Sequence, residues 1–206
     1  AVLDSASSRK LSWYAMREAY RPQLLHFSGV ERKLILINDT SSGWNNQLKV
    51  HLVGKRGELL ESACREVSIE PRSQASFDIA ALFGASDISQ VDGFLIADLG
   101  DIRAARRILD SPVSDVCAHH LSIQERVVGN QVQVHIEAQC FIHELSILPE
   151  LVALDRVEVS QERITLLPDE AIDITIDCSS AEDAHRVGAA IDEITWSLNR
   201  LMNLSS

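Results

Sequence analysis

The chain has 206 residues, 46% hydrophobic and 24% charged, and a formal net charge of -11. That composition excludes collagen-like and disordered classes, and the acidic balance argues against nucleic acid as a partner, because phosphates would be repelled. No apolar run approaches the roughly 18 residues that cross a bilayer as a helix, so no membrane partner is expected.

The charge is unevenly placed. Residues 135–183 hold twelve Asp or Glu against Arg156 and Arg163 alone, a net of -10. This reads as a solvated acidic face before it reads as a binding site. The four cysteines, Cys64, Cys117, Cys140 and Cys178, form no CxxC pair. Their scatter suits buried thiols in a reducing compartment, and a cytoplasmic location is expected. The first residues carry no secretory pattern.

A chain of this length can hold two domains of sandwich size, about 100 residues each. The opening AVLDSASSRKLSWYAMREAYRPQLL suggests the end of a strand and then a helix. Leu11, Trp13, Tyr14, Ala15, Met16, Ala19 and Tyr20 are more apolar than one stripe of a surface helix requires. After Pro22 the pattern alternates: KLILIND, QLKVHLVG, REVSIEP and ASFDIAAL read as antiparallel strands. GKRG at 54–57 is a hairpin turn, and PRSQ at 71–74 is expected to close the next hairpin. GFLIADL and IRAARRIL read as a further hairpin, although the Ala and Arg of the second run also suit a helix.

A second set of strands follows: HHLSIQERV, a turn at Gly129 and Asn130, QVQVHIEAQC, FIHELSIL, DRVEVS, ITLLP and AIDITIDC. Val132, Val134 and Ile136 alternate with Gln131, Gln133 and His135, as in a strand with one buried and one wet face. From Ser180 the period becomes helical. Ser180 is a natural N-cap, and Val187, Ile191, Ile194, Leu198 and Leu201 form one apolar seam. That seam either docks on its own chain or makes a homodimer contact through a 181–206 helix. The expected class is mostly β: two immunoglobulin-like β-sandwich domains over 28–110 and 111–180, preceded by a helical segment (1–27) and followed by a C-terminal helix (181–206).

Three stretches resemble a known family. The opening resembles the last strand and helix of the catalytic barrel in family 2 glycoside hydrolases of the β-mannosidase type, where a Tyr-Tyr-Ala-Leu-Arg-Arg-Ala helix stands in place of Trp13 to Ala19. LILINDTSSGWNNQLKVHLVGKRGELL is similar to the sandwich that follows the barrel, with Asn38 and Asp39 matching an Asn-Asp pair. ITLLPDEAIDITI is similar to the final sandwich, with Leu166 to Glu170 standing where Leu-Leu-Pro-Gly-Glu is typical; Asp169 departs from the Gly. The resemblance implies the C-terminal accessory part of a retaining glycosidase, with the upstream barrel of the same polypeptide as its partner. It also implies that both catalytic glutamates, about 5 Å apart in such enzymes, lie in that barrel, so no catalytic residue is assigned here.

Chemistry independent of the resemblance is sparse. The carboxylate pairs Glu144 with Glu150 and Asp169 with Glu170 fit an acidic surface better than acid/base catalysis. Cys117, His119, His120, His135, Cys140 and His143 are zinc-type residues at no zinc spacing, so neither metal nor cofactor is expected. Trp44, with Asn45 and Asn46 beside it, is the candidate carbohydrate platform of a stand-alone binding module, since an exposed ring can stack on a sugar while amides meet its hydroxyls. The competing reading packs Trp44 over the sandwich end or against the neighbouring barrel.

Overall fold

Alternating apolar residues build two separate sandwiches in the computed structural model, which describes residues 11–28, 33–83, 88–108, 119–152 and 156–203. One unit comprises Met16–Pro112; the other comprises Val113–Ser206 together with Ala1–Ala15. The helix α1 (Leu11–Ala19) forms as the sequence suggests, and it leaves Met16 46% exposed and Tyr20, just past its end, 79% exposed.

The first unit begins with β1 (Gln23–Phe27), which pairs antiparallel with β2 (Lys33–Asn38) from Gln23↔Asn38 to Phe27↔Leu34. Sequence alone groups 23–27 with the segment before the sandwich; the pairing makes it an edge of the first sheet. A long hairpin follows, β3 (Trp44–Gly54) and β4 (Leu59–Ile69). It is turned by Gly57, whose φ of 89° suits glycine. The turn at 71–74 does not close a hairpin. After Arg72 (φ 53°) the chain crosses to the other sheet, where β5 (Ser73–Asp78) pairs with β2 instead of β4. The hairpin β6 (Gly93–Leu99) and β7 (Ile102–Arg107) completes the unit as strands, not helix. The sheets run β1-β2-β5 and β4-β3-β6-β7, and their inner faces meet in a core that includes Leu34, Leu36, Leu48, Val50, Leu95 and Leu99.

In the second unit, β8 (Leu121–Val128) and β9 (Gln131–Ala138) form a hairpin with Gly129 at φ 63° in its two-residue turn. With β11 (Glu158–Val159) and β13 (Ala171–Asp177) they make the sheet β11-β13-β9-β8. Opposite it stand β10 (Ile142–Ile147) and β12 (Ile164–Leu166). Val132, Val134 and Ile136 are 0–2% exposed, as their alternation requires.

The C-terminal segment is not one helix. Ser180 caps α3 (Ala181–Ala189), its hydroxyl accepting from the Asp183 N–H at 3.1 Å. A short α4 (Ile191–Ile194) follows, then a two-residue strand, β14 (Thr195–Trp196), and α5 (Leu198–Asn203). Strand pairing overrides helix propensity here, because Thr195 and Trp196 pair antiparallel with Ile147 and Ser146 on β10. The Thr195 hydroxyl also donates to the Ile191 carbonyl at 2.6 Å. Val187, Ile191 and Ile194 join the unit's own core, whereas Leu201 is 42% exposed.

Asn38, at the end of β2, is fully buried and joins distant backbone. Its amide nitrogen donates to the carbonyls of Ser42 (2.8 Å), Glu70 (3.1 Å) and Ile69 (3.3 Å). Its amide oxygen accepts from the Thr40 hydroxyl (2.7 Å) and N–H (3.2 Å). Replacing Asn38 by Ala strands buried carbonyls, so urea unfolding is expected to show a loss of about 2–3 kcal/mol. Asn38→Asp should also destabilise, because a carboxylate cannot donate to those carbonyls.

Candidate functional site

Trp44 opens β3 opposite Ile69 and is 8% exposed, within the first core. The side chain is packed in the core and not exposed as the platform expectation had it: strand alternation places Trp44, Leu48 and Val50 on the buried side. Asn45 and Asn46 are exposed, and Asn46 spends its amide oxygen on the Gln47 N–H at 2.8 Å.

The zinc-type residues are dispersed. Cys117 lies outside the described residues. His135 on β9 faces Asp173 on β13, with Nδ1 and Oδ1 at 2.8 Å on an exposed sheet surface. His143 belongs to β10, where its ring nitrogen meets the Thr165 hydroxyl at 3.2 Å. Among the described residues no three of His, Cys, Asp and Glu converge as a metal site would require. The carboxylates serve local structure. Glu144 is paired with Arg163 at 2.6 Å, and Glu170 accepts the Leu167 N–H at 2.8 Å across the turn that holds Asp169.

A polar cluster pins the C-terminal segment. Asn199 of α5 accepts the His143 N–H and donates to the Phe141 carbonyl, both at 2.8 Å, so a side-chain amide substitutes for a neighbouring strand on β10. His119 Nδ1 lies 2.7 Å from the Ser197 hydroxyl, which also accepts the Arg200 N–H at 3.2 Å. Arg200 stacks 4.4 Å above the Trp196 ring and donates to the Thr195 and Asp192 carbonyls at 2.7 and 2.9 Å. Burial pushes the His119 pKa below its usual value; the Arg200 and His120 charges add to this, and Asp192 opposes it. Ser197 is 2% exposed, so the His and Ser here hold structure together and present no nucleophile to solvent.

Strand register also brings together residues that sequence reading misses. His51 Nδ1 lies 3.1 Å from the Ser62 hydroxyl across the β3-β4 hairpin, and His51 Nε2 lies 3.9 Å from Asp98 on β6. The GKRG turn is the signal that could have placed His51 opposite Ser62. The trio is not a relay. Asp98 is committed to Arg103 by two hydrogen bonds of 2.6 and 3.1 Å, and 3.9 Å is too long for a hydrogen bond to His51.

Neither a family model nor a curated protein matches the chain. Solved structures do share its fold. The β-D-mannosidase of Dictyoglomus thermophilum matches with a TM-score of 0.71 at 13% identity, over 96% of this chain and 24% of that one. The exo-chitosanase CsxA of Amycolatopsis orientalis matches with a TM-score of 0.66 at 15% identity, over 89% and 26%. The chain thus spans about a quarter of the length of these enzymes, and at such identities the likeness is one of fold. No helix among the described residues is long and apolar enough to cross a membrane.

Asp169 sits at φ 66°, a left-handed conformation that Asp tolerates and Gly prefers. Asp169→Gly is therefore expected to fold at least as stably, by up to about 1 kcal/mol in urea titration. Because His119 has a depressed native pKa, the unfolded chain binds its proton first as pH falls. Its contribution to stability is present above 6.5 and declines as pH drops through 6.5 toward the native value. His119→Gln should reduce the stability difference between neutral and mildly acidic buffers.

Proposed function

We propose that this chain is a non-catalytic C-terminal accessory region of a retaining, β-mannosidase-like glycoside hydrolase. The observation that carries this reading is a two-sandwich fold matched almost end to end by about a quarter of two larger glycosidases. The opening helix, the Asn38-Asp39 pair and the Leu166 to Glu170 turn support it, as motifs resembling the end of the barrel and the sandwiches after it. The exposed Met16 and Tyr20 of the α1 region are apolar surface suited to an upstream barrel of the same polypeptide. The unbridged thiols of Cys64 and Cys178 fit a reducing, cytoplasmic setting. A stand-alone sugar-binding module is disfavoured by the burial of Trp44.

The test is hydrolysis of aryl β-D-mannoside and aryl β-D-glucosaminide by the 206-residue chain and by the polypeptide extended upstream through its reading frame. Turnover is expected only in the extended form, and whichever glycoside is cleaved identifies the sugar. Turnover by the short chain, or by neither form, would overturn the reading.

A further inference from the structure

The strand β4 is the terminal member of its four-stranded sheet, and no described strand pairs with its outer edge. It is eleven residues long, and its first two residues, Leu59 and Leu60, are 60% and 51% exposed. A long open edge carries a row of backbone donors and acceptors that can template another strand, and natural proteins manage such edges explicitly. One common device is a charged side chain on the inward face. Glu61 and Arg65 occupy that face by alternation with the buried Val67 and Ile69, and the Arg65 guanidinium rests 5.2 Å from the Phe77 ring centre.

These two charges oppose pairing with an unmatched strand, but not with a second copy of β4, because their spacing is self-complementary. If a second copy of β4 lies antiparallel with Ala63 opposite the partner's Ala63, Glu61 falls opposite the partner's Arg65 and Arg65 opposite the partner's Glu61. The small alanines meet at the two-fold axis, and Ser62 faces the partner's Cys64. Shifting the centre to between Ala63 and Cys64 sets Glu61 against the partner's Glu66. Centring on Cys64 leaves both charges opposite apolar residues. Opposite charges across strands stabilise and like charges destabilise, so of these three registers the one centred on Ala63 is favoured.

We propose that β4 is a homodimer interface: two copies pair edge to edge about Ala63, joining their four-stranded sheets into one continuous sheet. The contact is isologous and closed, so it makes a dimer and not a fibre. The seam residues Val187, Ile191 and Ile194, which sequence alone offered as a dimer contact, are already used inside their own unit. The proposal is independent of the glycosidase reading, because it rests on one strand and its charges.

Sedimentation velocity on the full chain tests it. The wild type is expected at dimer mass. R65E and E61R, each placing like charges opposite one another, should sediment as monomers with unchanged circular dichroism, and the double exchange E61R/R65E should restore the dimer. Register is read separately. Directly opposed residues lie about 4.5–5.5 Å apart at Cα, within disulfide reach, so S62C should cross-link to the partner's Cys64 under mild oxidation. In the wild type the two Cys64 residues are diagonal, about 7–8 Å apart, and should not cross-link through each other. A monomeric wild type, a dimer indifferent to both charge reversals, or a Cys64 to Cys64 bridge would each overturn the proposal.

Discussion

The first sandwich depends on one buried amide. A two-sheet sandwich must pass its chain from one sheet to the other, and each passage leaves backbone groups that no strand partner can satisfy. Asn38 stands where β2 ends and β4 gives way to the crossing toward β5. It meets carbonyls from both places while accepting from Thr40. A group with two donors and an acceptor in one plane is the economical solution. Once Asn38 fixes that corner, β5 is free to pair with β2, and Leu34, Leu36, Leu48 and Val50 can face one another.

The second unit answers the same requirement with Asn199. Near the start of the short β10, the Asn199 amide accepts the His143 N–H and donates to the Phe141 carbonyl, satisfying one donor and one acceptor together. Farther along, Thr195 and Trp196 supply a two-residue strand. The C-terminal segment is thereby committed to closing an edge, which explains why residues with catalytic side chains cluster there without a catalytic arrangement. His119, Ser197 and Thr165 are partners in fastening α5 and β10, and Ser197 and Thr165 are buried there.

What could be read from the sequence was whatever is set by local periodicity. β2, β3, β9 and β13 follow from strict alternation, the hairpin turns from Gly57 and Gly129, and the N-cap from Ser180. What could not be read depends on distant partners. QLLHF is too short to declare itself a strand until β2 lies beside it. PRSQ has turn residues whether the chain reverses within a sheet or changes sheet. The 4-3-4-3 seam from Val187 correctly marks buried side chains, yet Thr195 leaves the helix because β10 offers a better place for its backbone. The candidate site divides in the same way. Trp44 was legible as a residue worth placing, but whether it faces core or solvent was fixed by pairing with Ile69, and the His51, Ser62 and Asp98 neighbourhood exists only through register.

The motifs that carry the glycosidase resemblance are also the places where the backbone allows few residue types. Asn38 holds the sheet crossing. Gly54 and Gly57 shape the β3-β4 turn, where the Gly57 N–H donates to the Gly54 carbonyl at 2.9 Å. Asp169 takes the left-handed conformation beside Glu170, whose carboxylate binds the Leu167 N–H. Strand interiors tolerate many apolar residues if volume and alternation are kept, whereas these corners require an amide, a positive φ or a side-chain acceptor at one position. At 13–15% identity to its structural neighbours, the chain shares their fold although most residues differ. In this chain the short motifs fix where the backbone turns, and the strand interiors fill the space between those turns.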